Sequence, residues 1–186
     1  MRRIIVAAVL ALIIIAGAVG WIYDHTSQYD HIISLAAARN DLDFYLVKAL
    51  IFEESWFRAE IRGPSGELGL MQITPAAASD FISHKGFMPL AETRLLEPEL
   101  NVEIGCWYLK HSLEYYRDSP RPMLFALLRY NAGASRADNW LRQALASPPP
   151  QGTPEEDYYL SLVDFPTTRS YAGRILRRYR SRNFWF

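Results

Sequence analysis

The stretch from Glu53 to Gln72, EESWFRAEIRGPSGELGLMQ, ends an apolar run with two adjacent glutamates and follows them with a loop containing three glycines. A single carboxyl group can give a proton to a leaving oxygen and later take one from an attacking hydroxyl, provided its surroundings hold that proton near neutral pH. A helical period of about 100° per residue separates the two candidates. With Leu50 as origin, Leu46, Val47, Ile51 and Phe57 spread from about −40° to about 100°; Glu54 falls near 40°, inside the apolar stripe, and Glu53 near −60°, at its edge. Burial disfavours the ionised form, so a raised pKa is expected at Glu54. A glutamate of pKa about 4.3 is protonated roughly once in 500 at pH 7, whereas at about 6.5 the proton is present about a quarter of the time. The competing reading is a structural carboxylate neutralised by Arg58, one helical turn on.

The elements that must hold this carboxyl read as helices. Asp41 or Asp43 can cap a helix through Leu46, Val47, Leu50 and Ile51, and RGPSGELG must break it. Thr74 with Pro75 starts a short helix. A long one runs from Glu99 to Tyr116, closed by Pro120. RPMLFALLRYNAG is another, stopping at Gly133, and SRADNWLRQALA begins the next with Ser135 as the expected cap. SPPPQGTP is a loop; EEDYYLSLV is helical after Thr153 and Pro154, and the last helix starts after Pro166. With no βαβ alternation and no repeats, the expected fold class is mainly α, a single helical domain with a small loop or β element.

Composition narrows the chemistry. The 186 residues, half of them hydrophobic, suffice for one packed domain, and 20 basic against 20 acidic side chains argue against nucleic acid as a partner. Arg174, Arg177, Arg178, Arg180 and Arg182 form a face expected to be solvated rather than a docking patch for anionic lipid or polymer. Cys106, the only cysteine, lies in the apolar run IGCWYL and is expected to pack as a small hydrophobe. His25, His31, His84 and His111 lack metal-site spacing, so no metal and no cofactor is expected.

At the amino terminus, Arg2 and Arg3 precede the uncharged stretch from Ile4 to Tyr23, long enough to cross a bilayer as one helix. Residues 1–23 therefore read as a transmembrane anchor with its basic end in the cytoplasm and Trp21 and Tyr23 in an interfacial belt. The alternative is a signal peptide cleaved near Ala16-Gly17-Ala18. Residues 24–40 read as a connecting segment, helical through IISLAAARN, and residues 41–186 as the catalytic domain.

Several of these residues occur in an order that resembles the soluble lytic transglycosylase (SLT) domain family: Glu54-Ser55, then GELGLMQITP from Gly66 to Pro75, EPELNVEIGCWYL around Asn101 and Gly105, YNAG from Tyr130 to Gly133, and FPTTRSY from Phe165 to Tyr171. The resemblance covers about Asp41 to Arg180. It implies a lysozyme-like α+β fold. It also implies cleavage of the β-1,4 bond between N-acetylmuramic acid and N-acetylglucosamine in peptidoglycan, with 1,6-anhydro ends. By the same resemblance Glu54 is the single catalytic acid and base; Ser55, Met71, Gln72, Tyr130, Asn131 and Tyr171 are substrate-binding. Met71 is expected to line the cleft, Gln72 to bond the sugar, and Tyr130 to hold the carboxyl or the acetamido group. Asn131 looks more like a structural bond to the loop.

The expected setting is the bacterial inner membrane, with the domain in the periplasm acting on glycan strands, in the company of an envelope or secretion complex. Three departures stand out: Gly63 where the family usually has serine, Glu67 where it often has alanine, and Thr167-Thr168-Arg169 where the family's second glutamate is missing. Glu67 opens an alternative, a goose-type lysozyme-like hydrolase in which it activates water. The departures at Gly63 and Thr167 motivate another, a glycan-binding module with weak or no turnover.

Overall fold

The structure is a computed structural model that describes residues 2–86 and 91–184. Its α-helices are α1 (Arg2–Ser27), α2 (Asp30–Arg39), α3 (Phe44–Ser55), α4 (Pro75–Lys85), α5 (Pro98–Tyr115), α6 (Pro122–Ala132), α7 (Ala134–Ala146), α8 (Glu155–Ser161) and α9 (Pro166–Ser181), with a 3-10 turn over Glu92–Leu96. The only β structure among the described residues is a pair of isolated antiparallel bridges, Arg62 with Leu68 and Leu68 with Ile73, within the loop between α3 and α4. The fold is therefore mainly α with a small β element.

Local chemistry sets several helix starts. Asp43, in extended backbone, accepts from the Tyr45 amide at 2.7 Å and caps α3. Asp41, the other candidate, instead pairs with Lys110 at 2.9 Å. Thr74 accepts from the Ala77 amide at 3.1 Å, with Pro75 as the first residue of α4. Ser135 caps nothing and lies inside α7: Gly133, at φ 84°, both ends α6 and precedes α7 without a side-chain cap. A glycine at positive φ lets two helices abut, which leaves no room for the separate cap expected at Ser135.

The core forms where α5 meets α2 and α6, and where α9 lies across α3 and α6. Helix α2 is more than a connector. Ile33, Ala36 and Ala37 are buried, and Asp30 pairs at 2.6 Å with Lys48 of α3, itself a buried residue. Residues 30–39 thus belong to the packed body, where the sequence suggested a connecting segment; their apolar positions, in IISLAAAR, look the same in a spacer helix as in a core helix. Cys106 is fully buried, and burial pushes its thiol pKa up. Helix α1 is long and apolar enough to cross a membrane, and its apolar window is entirely uncovered by the rest of the chain.

The arginines of α9 are paired as well as solvated. Arg174 and Arg178 reach Glu53 at 2.6 and 3.7 Å, Arg180 reaches Glu156, and Arg178 lies over the Phe52 ring at 3.5 Å. Glu53 is therefore a buried structural carboxylate, its side chain 7% exposed.

Candidate active site

Glu54 lies in the last turn of α3, one residue before the helix ends at Ser55. The side chain is partly buried, and its Oε1 accepts a hydrogen bond from the Tyr171 hydroxyl of α9. Burial pushes the carboxyl pKa up to about 7; the Tyr171 bond opposes the rise, and the negative charges of Glu67 and Glu53 add to it. Arg58 does not neutralise Glu54: its Nε donates to the Ser55 carbonyl at 3.1 Å. The two glutamates thus part ways by environment, Glu53 ion-paired to α9 and Glu54 without a cation partner among the described residues.

Two tyrosines stand close to this carboxyl. Tyr171 is buried, and burial together with the adjacent Glu54 raises its pKa well above the ordinary value. Tyr130 of α6 is likewise raised, first by burial and then by Glu54. Its hydroxyl, however, donates to the Met71 carbonyl at 2.9 Å rather than to Glu54. The Tyr130 phenol, expected to hold the carboxyl or the acetamido group, bonds the loop, and the hydroxyl bonded to the carboxyl is that of Tyr171 of α9.

The loop between α3 and α4 is fixed from below by Asn101, a fully buried residue of α5. Its Oδ1 accepts from the Met71 amide at 2.7 Å, and its Nδ2 donates to the Leu68 and Leu95 carbonyls at 2.7 and 2.6 Å. Every hydrogen-bonding direction of that amide except one acceptor lone pair is used, which makes it a loop clamp. The sequence shows a signal for it, an asparagine set in an apolar helical face, but no partner. Gly105, one turn along α5, is required by the same packing: a Cβ there would stand 2.3 Å from the Met71 sulfur.

Met71 is consequently fully buried against α5, not on an open surface. Ser55 is 2% exposed, and its hydroxyl donates back to the Ile51 carbonyl at 3.2 Å. Both were expected to touch substrate. Helical and loop patterns show that such residues face inward, but not whether inward means core or cleft. Gln72, at φ 48°, uses its Nε2 to brace the Gly69 carbonyl at 2.8 Å, which leaves its Oε1 toward Gly63. Asn131 accepts from the Thr168 hydroxyl at 2.7 Å, tying α6 to α9.

The departures at 63 and 67 are one feature. A Cβ on Gly63 would lie 2.3 Å from Oε2 of Glu67 and 2.8 Å from Oε1 of Gln72. The Glu67 carboxylate occupies the space that a side chain at 63 would need, held there by the Ser65 amide at 2.9 Å. A pocket of about 320 Å³ between α6, α8 and α9, lined in part by Met123, Glu156 and Leu176, contains none of these residues.

The sequence matches the family described as "Transglycosylase SLT domain" over residues 31–149. It is 26% identical over 163 residues to the soluble lytic murein transglycosylase of Salmonella typhimurium, covering 84% of this chain and 24% of that protein. It is 30% identical over 115 residues to the membrane-bound lytic murein transglycosylase F of Desulfosudis oleivorans, covering 60% of this chain and 23% of that one. The chain thus spans about a quarter of the length of these relatives. The 70 kDa soluble lytic transglycosylase of Escherichia coli superimposes with a TM-score of 0.71 at 24% identity, over 87% of this chain and 26% of the other. That likeness gives the fold, a lysozyme-like one. Because the family match extends from α2 into the loop after α7, well over half of the sequence, the chain belongs to the transglycosylase SLT domain family.

Proposed function

We propose that the protein is a peptidoglycan lytic transglycosylase in which Glu54 serves in turn as acid and base. The observation that carries this reading is a carboxyl group bonded by Tyr171, with no cation beside it among the described residues and its pKa raised to about 7. Such a group is protonated about half the time at neutral pH, within the range used for general acids. In the first step Glu54 gives its proton to the glycosidic oxygen and the C1–O bond breaks, with the acetamido group of the muramic acid stabilising the cation at C1. In the second step the C6 hydroxyl of the same sugar attacks C1 and returns its proton to Glu54. No water is consumed, and the product ends in a 1,6-anhydro ring.

Tyr171 orients the carboxyl and stabilises the anion between the two steps. Gln72 presents its free Oε1 to an N–H or O–H of the sugar, and Tyr130 and Asn101 hold the loop that carries Gln72. Helix α1 serves as a single-pass inner-membrane anchor, with the domain in the periplasm.

A second reading is favoured by the position of Glu67. Folded over Gly63 beside Gln72, this carboxylate lies close enough for its charge to raise Glu54. In that role it would activate a water, and the enzyme would be a hydrolase.

Incubating the purified full chain in detergent with peptidoglycan, followed by mass spectrometry of the soluble fragments, tests both readings. Anhydro ends support the lyase and reducing ends the hydrolase. Glu54→Gln is expected to lower turnover at least about 100-fold; a variant as active as the parent would remove Glu54 from the reaction.

A further inference from the structure

The carboxyl at 54 sits in the last turn of α3, the part of a helix with the fewest internal hydrogen bonds and the most prone to fray. The chain beyond it is unusual. Trp56 and Phe57 both adopt left-handed backbone, at φ 51° and 58°, although neither is glycine. Bulky residues hold that conformation only where the surroundings impose it.

Trp56 ends α3 as its left-handed cap, its amide donating to the Phe52 carbonyl at 3.0 Å, and further contacts to the turn come from α1, 31 residues earlier in the chain. His25, near the end of α1, places Nε2 at 2.8 Å from the Trp56 carbonyl oxygen. A carbonyl only accepts, so Nε2 carries the proton. The amide nitrogen of Gln28 stands 3.3 Å from Nδ1 and donates to the His25 carbonyl at 2.9 Å, a placement that suits the same tautomer. The imidazole also packs on the Trp56 ring, with centroids 4.4 Å apart, and meets the edge of Phe57 at 6.3 Å. Trp21, one turn earlier, stacks on His25 at 5.3 Å and reaches Trp56 at 5.7 Å. Together, α1 contacts the rings of both left-handed residues and accounts for the Trp56 carbonyl.

We infer that α1 is a positioning element as well as an anchor: its His25 and Trp21 clamp the Trp56–Phe57 turn, hold the last turn of α3 wound, and so fix Glu54 for reaction. This inference rests on Glu54 being the reactive group. It also sets the substrate, since His25 follows the apolar span by two residues, about 3 Å of helix rise. The clamped turn lies at the membrane surface, and the strands within reach are those next to the bilayer.

The test compares the full chain with His25→Ala, His25→Gln and Leu12→Ala in detergent micelles. Initial rates on purified peptidoglycan give kcat and KM, and hydrogen exchange follows the amides of Trp56 and Arg58. Leu12 is exposed on the apolar part of α1, so its variant keeps the anchor and the clamp and should match the parent. His25→Ala should lower kcat roughly tenfold with KM within about twofold, because misplacement of a reacting group costs rate rather than binding. Exchange should quicken at the turn alone, and His25→Gln, whose amide can still donate to the Trp56 carbonyl, should recover most of the rate. Unchanged kcat in His25→Ala would overturn the inference, as would an equal loss in Leu12→Ala or in His25→Gln. Faster exchange across the whole domain would also overturn it, by making His25 a general fold residue. Should the parent itself release no fragments, the reading of Glu54 fails, and exchange at the turn decides the clamp separately.

Discussion

At the scale of residues, one question is why two neighbouring glutamates behave differently. Glu53 faces α9 and meets two arginines, whereas Glu54 faces the tyrosines of α6 and α9 and meets no cation among the described residues. The wheel position of Glu54 within the apolar stripe was legible from sequence, because helical periodicity is local. Its partner Tyr171 was not, being 117 residues away. The raised pKa carries a stability consequence. Glu54 binds its proton more tightly folded than unfolded, so its favourable contribution is complete below pH 4.5 and is lost as pH rises toward about 7. Above that, the folded state carries a desolvated carboxylate at a cost of about 3 kcal/mol. Glu54→Gln should therefore unfold at higher denaturant than the parent at pH 8, and show little of that gain at pH 4.5, when the two are compared by circular dichroism in the same detergent.

Among the elements, the loop between α3 and α4 depends on what lies beneath it. The starts of the two helices that flank it were readable: Asp43 for α3, and Thr74 with Pro75 for α4, act through neighbours within three residues. The support from α5 was not, since nothing in the spacing of Asn101 names Leu68, Met71 or Leu95 as its partners. For the same reason Ser55 and Met71 read as substrate contacts until their burial was known. Replacing Asn101 with alanine would take the side-chain partner from the Met71 N–H and one hydrogen bond from each of the Leu95 and Leu68 carbonyls in a closed interior, the Leu68 carbonyl keeping its bond from the Ile73 amide. A loss of roughly 3 kcal/mol in equilibrium unfolding is expected, together with turnover lost through the displaced Gln72.

For the molecule as a whole, the amino-terminal third is where sequence and structure differ most. Hydropathy identified α1 as a possible span, but it could not show that α2 belongs to the packed body. A fragment beginning at residue 28 retains Ile33, Ala36, Ala37 and the Asp30–Lys48 pair and is expected to melt cooperatively. One beginning at residue 41 leaves Lys48 unpaired and opens the surface that α2 covers. It should be less stable by at least about 3 kcal/mol, as read by its denaturation midpoint.

The claim on which the rest depends is that the Glu54 carboxyl keeps a proton near neutrality. Carbon NMR of glutamate labelled at Cδ, assigned by comparison with Glu54→Gln, measures this directly in the intact protein. The expected midpoint is about 7, moving higher in Tyr171→Phe because the lost hydrogen bond had favoured the anion. A midpoint close to 4.5, the value of an ordinary glutamate, would contradict it.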